Sequence, residues 1–143
     1  TLEEKSLGCT QKGGAAKVVD VLKYTDRLCK KGLNLMAGPG NDMVAVTALT
    51  AAGAHIILFT TGRGTPLGAP APTMKLATNS ALANFKSNWI DFNAGVVADG
   101  TRTLEEAARD LMDQVLATAS GKKTRTEEKG FREISIFKEG VVL

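Results

Sequence analysis

The sequence predicts an α/β domain, a layered αβα arrangement around a mostly parallel, Rossmann-like sheet of about five strands. Three observations predict it. Strand-like and helix-like segments alternate along the chain. The run Ala54-His-Ile-Ile-Leu-Phe59 is apolar almost without a break, as a strand buried on both faces is. Leu104 to Ala119 carries a helical stripe at 104, 107, 108, 111, 112, 115, 116 and 119.

Each element has its own local reason. Thr1 and Glu4 fit a capping box that opens a short helix, and Gly13-Gly14 breaks the chain after it. Val18, Val21, Leu22, Leu28 and Cys29 fall at helical spacing, which predicts a helix over Ala16 to Lys31 with Gly32 as its stop. Leu33 to Ala37 reads as a short strand. Asn41 is a good N-cap for a buried helix over Asp42 to Ala52, which Gly53 ends. The central strand Ala54–Phe59 follows, then a long connection from Thr60 to Pro72. Thr73 to Thr78 is a further strand, and Asn79 or Ser80 caps a helix through Lys86. Trp89 to Phe92 is a fourth strand. Thr103 and Glu106 form a capping box before the 104–119 helix, and Gly121 with Lys122-Lys123 closes it. Gly130 to Phe137 alternates as a last strand.

Composition narrows the function classes. At 143 residues, 43% hydrophobic and 23% charged, the chain suits one globular domain with a real core. Eighteen basic against fifteen acidic residues leave a net charge of +3, and aromatics are 5%. That balance argues against a nucleic-acid partner, which favours basic clusters interleaved with aromatics. The cluster Lys122, Lys123 and Arg125 reads as a solvated helix end. No apolar run reaches the roughly 18 to 20 residues of a membrane span. Two cysteines, Cys9 and Cys29, without a CxxC spacing, fit a reducing compartment and a cytoplasmic protein. The start, Thr1-Leu-Glu-Glu-Lys5, has no signal-peptide character and no initiator Met, so a piece of a longer chain is expected.

Ligands of open parallel sheets bind beyond the carboxyl ends of the strands. Two segments are expected there. Ala37-Gly-Pro-Gly-Asn41-Asp42 leads into a helix N-terminus, where free N–H groups suit a carboxylate, unless Asn41 is a plain cap. Thr60-Thr61-Gly62-Arg63-Gly64-Thr65-Pro66 follows the apolar strand. Its glycines allow close backbone approach, Arg63 offers a fork that matches a carboxylate, and the threonines offer hydroxyls to polyol oxygens. The substrate-binding candidates are therefore Asn41, Thr61, Gly62, Arg63, Gly64 and Thr65. Neither a Walker loop nor a GxGxxG fingerprint is present. Asp91 and Asn93 flank a strand end and reach the same edge, or else form a turn. His55, the single histidine, sits at the wrong end of its strand and lacks neighbours for a metal set. Cys9 reads as structural rather than reactive.

The same segments carry a family resemblance. Thr1-Leu-Glu-Glu-Lys-Ser-Leu-Gly8, Lys12-Gly-Gly14, Val18–Leu22, Gly32–Leu35, Pro39-Gly-Asn-Asp42, Leu58-Phe-Thr-Thr-Gly-Arg-Gly-Thr-Pro66, Pro72–Lys75, Ala77–Asn79, Trp89-Ile-Asp-Phe-Asn-Ala-Gly95 and Ala119–Lys122 resemble the altronate/galactarate dehydratase family in its own order. The most specific string is Phe59–Pro66. The ending Gly130–Phe137 is closer to the altronate branch. The resemblance implies that residues 1–143 are one domain, the C-terminal one of a longer chain with upstream domains. It implies loss of water from a sugar acid, D-altronate giving 2-dehydro-3-deoxy-D-gluconate in hexuronate breakdown, with galactarate and sulfolactate relatives as alternatives. It also implies iron(II) or manganese(II). In this chain Asp42 and Asp91 are the candidate ligands, unless upstream residues hold the ion. These 143 residues hold no complete acid, base and metal set, so the isolated domain is expected to be inactive. A non-catalytic sugar-acid-binding or assembly domain is the alternative of another class, and homo-oligomerisation is left open.

Overall fold

The structure, a computed structural model, describes residues 3, 7 and 11–136. The expected capping box at Thr1 and Glu4, Cys9, and the end of the expected strand at Phe137 lie outside the described residues. Within them the chain is mixed α/β, and all strand pairs are parallel. The expected single sheet is divided into two. Strand β1 (Val18–Leu22) pairs with β2 (Leu33–Met36), while β3 (Ile57–Thr61), β4 (Thr73–Ala77) and β5 (Phe92–Asn93) form a second sheet in that order.

The first departure is at β1, where a helix over Ala16 to Lys31 was expected. Val18, Val19 and Val21 are β-branched and stiff at χ1, which favours the pleated strand. Pairing with β2, from Val18↔Leu33 to Leu22↔Met36, decides the matter. Thr25 then takes a φ of 79°, a left-handed conformation no helix interior holds. Asp20 pairs with Lys30 at 3.1 Å across the β1–β2 connection.

Helix α1 (Asp42–Ala52) has the expected bounds. The Asn41 Oδ1 accepts the N–H groups of Met43 and Val44, and Gly53 caps the far end. The next strand begins three residues later than expected, and it is an edge strand. The central position belongs to β4, all five of whose residues are buried. β4 contributes to two apolar clusters. On one face Met74, Leu76 and Phe92 pack on Ala107, with Leu111 and Val115, from α4 (Leu104–Ala119). Near the other face Val46 of α1 packs with Ile57, Leu67 and Ala69. Ala77 packs with Leu82 and Ala83 of α2 (Ser80–Phe85) and with Ile90. The described residues therefore hold two small parallel sheets, of two and three strands, in place of the expected single sheet of about five.

The Thr103–Glu106 capping box of α4 is present. Its expected stripe divides lengthwise: Ala107 is buried, Leu111 and Val115 are partly so, while Leu104, Met112 and Leu116 stay exposed. Two further short helices are α3 (Gly95–Ala98) and α5 (Arg125–Glu128). The expected strand Trp89–Phe92 shrinks to Phe92–Asn93, because the Trp89 and Ile90 N–H groups turn back onto the Lys86 carbonyl. Residues 131–136 form no strand. They run over the loop and α1 instead, with bonds from Glu133 N–H to the Gly68 carbonyl and from Ser135 N–H to Thr47 Oγ1. None of the described helices is long and apolar enough to cross a membrane.

Candidate functional site

Three strands deliver their carboxyl ends to one edge. β3 ends at Thr61, β4 at Ala77 and β5 at Asn93. The connection after β3 carries Thr61, Gly62, Arg63, Gly64 and Thr65, at the edge where the sequence places them. Arg63 and Thr65 are exposed, and Thr61 is buried. The Thr61 hydroxyl is already engaged within the loop, accepting the Gly64 N–H at 2.9 Å.

The loop is held by its carbonyl groups. Thr61 C=O accepts the Thr78 N–H at 3.0 Å and lies 3.4 Å from the Thr78 hydroxyl. Gly62 C=O accepts the Asn79 side-chain amide at 3.2 Å. The Lys86 ammonium donates to Arg63 C=O at 3.1 Å and to Gly64 C=O at 3.0 Å. The Lys75 ammonium donates to Thr65 C=O. Gly64 has a φ of +79°, and a Cβ there would come within 2.8 Å of the Lys86 stem, so glycine is required twice over.

The neighbouring edge is built with equal economy. Asn79 caps α2 through the Leu82 N–H, the Asn93 amide donates to the Ser80 hydroxyl at 2.9 Å, and the Asn93 carbonyl oxygen accepts the Gly95 N–H. Gly95 is buried, and a Cβ on it would run into the backbone of Asn79 and Ser80. Gly95→Ala is therefore expected to cost about 2 kcal/mol of stability by forcing these two turns apart. Urea unfolding measures it, and an unchanged midpoint would mean the turns separate freely.

Lys75 is the residue that sequence reasoning missed. It lies in the middle of β4, is 1% exposed, and stands 4.6 Å from the centroid of the Phe59 ring, its partner in the β3–β4 register. Burial pulls its ammonium down to about 8, while the carboxylates of Glu133, Asp91 and Asp42 push it back up. Lys86, also missed, lies 4.9 Å from the centroid of the Trp89 ring. The available signal was a charged residue inside the otherwise apolar strand Thr73-Met-Lys-Leu-Ala77.

The other candidates lie elsewhere. Asn41 is occupied in capping α1. Asp42 opens onto a cavity of about 680 Å³ between β2 and β3, which Lys12, Met36, Phe59 and Thr60 also line. Asp91 precedes β5, so it stands beside the middle of β4 and not at the carboxyl edge that Asn93 reaches. Its two carboxylate oxygens accept the backbone N–H groups of Lys75 (2.7 Å) and Arg125 (2.8 Å). Burial raises its pKa, and these two N–H donors oppose that rise. Each oxygen thus accepts one backbone donor and keeps a further lone pair. Among the described residues no three His, Cys, Asp or Glu side chains are grouped to hold an ion. A complete ligand set is therefore not assembled among the described residues. His55 is exposed at the amino end of β3. Lys122, Lys123 and Arg125 are exposed, and they line a cleft of about 310 Å³ with Asp91, Gln114 and Thr118.

Comparison with known proteins adds a second line. A family model described as D-galactarate/Altronate dehydratase, C-terminal, matches residues 1–142. Altronate dehydratase of Escherichia coli (strain K12) is 53% identical over 143 residues, which is 100% of this chain and 29% of that protein. Altronate dehydratase of Bacillus subtilis (strain 168) is 52% identical over the same share of each chain. Galactarate dehydratase (L-threo-forming) of E. coli (strain K12) is 44% identical over 121 residues, 84% of this chain and 23% of that protein. The chain thus spans under a third of the length of these relatives.

Proposed function

The chain belongs to the D-galactarate/altronate dehydratase C-terminal family, and from that membership we propose that it is the C-terminal domain of a cytoplasmic sugar-acid hydro-lyase acting on D-altronate. The reaction removes the proton on C2, expels the C3 hydroxyl as water, and leaves an enol that tautomerises to 2-dehydro-3-deoxy-D-gluconate. A base takes the C2 proton, and an acid delivers a proton to the departing hydroxyl. Residues upstream in the same polypeptide supply both, together with the iron(II) or manganese(II) such chemistry uses.

This domain binds and orients. The observation that supports the reading is Arg63, an exposed guanidinium on a loop gripped at four consecutive carbonyls, at the carboxyl edge where parallel sheets take ligands. Its planar fork matches the two oxygens of a sugar-acid carboxylate. The higher identity to the two altronate dehydratases than to the galactarate dehydratase favours altronate over galactarate.

A full-length protein carrying this sequence, purified and loaded with iron(II) or manganese(II), is expected to form a 2-keto-3-deoxy acid from D-altronate. Its kcat/KM on galactarate and on (2R)-sulfolactate is expected to be at least tenfold lower, the equivalent of about 1.4 kcal/mol. A preference for either of the other two acids would move the substrate assignment. Binding of D-altronate without turnover would favour a sugar-acid-binding role instead.

A further inference from the structure

The grip on the Arg63 loop is more than closure of a turn. Carbonyls in such a segment have no helix or sheet partner, and water ordinarily satisfies them. Here four in a row beyond β3, from Gly62 to Thr65, are taken by groups of one short segment: Asn79 beyond β4, Lys86 after α2, and Lys75 within β4. The Lys86 ammonium bridges two of them, and its stem packs against Gly64 together with Leu82. The loop contains two glycines and is floppy by composition, so its order comes from outside it.

We infer that Lys86 is a positioning residue. With Lys75, it fixes the carbonyls of Arg63, Gly64 and Thr65 inward and so holds the Arg63 guanidinium out as a rigid receptor for a carboxylate. The inference deepens the proposed function and rests on its reading of Arg63. Preorganisation lowers the cost of ordering a side chain when ligand binds. Two ammonium groups beneath the loop also add positive potential at the place where a carboxylate arrives.

Two measurements test this on the full-length protein. The first needs no substrate. The Arg63–Gly64 bond is a trypsin site on an exposed loop, and cleavage there requires the loop to open. Lys86→Met is expected to speed cleavage at this bond about tenfold with the melting temperature nearly unchanged. Lys86→Arg, which keeps donors and charge, is expected to stay within about threefold of wild type. Unchanged cleavage in Lys86→Met overturns the inference.

The second is a kinetic cycle on D-altronate. Lys86→Met is expected to raise KM about five- to tenfold with kcat little changed, and to have no further effect once Arg63 is alanine. An equal loss in both backgrounds would make Lys86 a merely structural residue and overturn the inference. The reading of Arg63 fails separately: Arg63→Ala would then be kinetically silent while Lys86→Met still loosened the loop.

Discussion

Arg63→Ala is expected to lower kcat/KM on D-altronate by one to two orders of magnitude and to leave the melting temperature of the full-length protein within a degree or two. The size follows from a charge-assisted, bidentate pair, worth about 1.5 to 3 kcal/mol. The unchanged melting follows from the exposure of the Arg63 side chain, since the bonds that hold the loop are made to backbone carbonyls and survive the substitution. Arg63→Lys restores only part of the loss, because an ammonium cannot make the two parallel contacts. Steady-state kinetics and a melt on both variants decide it. Normal kinetics with a lowered melting point would mean that Arg63 serves the fold and not the substrate.

Lys75→Met changes the slope of stability against pH. The ammonium titrates near 8 in the folded chain against an ordinary value of 10.5. Below pH 8 both folded and unfolded chains hold the proton, and the full burial penalty stands. Between 8 and 10.5 the unfolded chain binds more protons, so the stability of the wild-type chain rises with pH. The negative charges of Glu133, Asp91 and Asp42 favour the charged ammonium and offset part of the penalty. Relative to Lys75→Met, which has no proton to lose there, wild type is expected to gain about 2 to 3 kcal/mol between pH 7 and pH 10. Urea unfolding of both full chains at the two pH values measures it. Parallel pH curves would mean that Lys75 keeps an ordinary proton affinity despite its burial.

The helices were legible where the sequence carries its own punctuation. Asn41 and Gly53 bound α1, and Thr103 with Glu106 opens α4, because capping is chemistry within four residues. β1 was misread because Val18, Val21 and Leu22 fit a helical period as well as a strand. Its pairing with Leu33–Met36 is what settles the difference, and pairing cannot be read locally. The break between β2 and β3 was hidden for the same reason. The Arg63 loop was legible from its glycines and its place after an apolar strand. The grip on it was not, because it depends on the Phe59↔Lys75 register and on α2 turning Lys86 back over Gly64.

The anchors of that loop have a kinetic consequence. They are close in sequence: 10 residues separate Lys75 from Thr65, 17 separate Asn79 from Gly62, and 22 separate Lys86 from Gly64. Closures of this length take far less than a millisecond, on the order of 10 to 100 ns for the shortest. The clasp of Glu133 on Gly68 spans 65 residues, and that of Ser135 on Thr47 spans 88. Such distant contacts carry a larger entropy of closure. The anchors of the loop are therefore expected to form earlier in refolding than the contacts of Glu133 and Ser135. The Arg63 loop would then be ordered first by its own neighbourhood, with the segment of Glu133 and Ser135 closing over it afterwards.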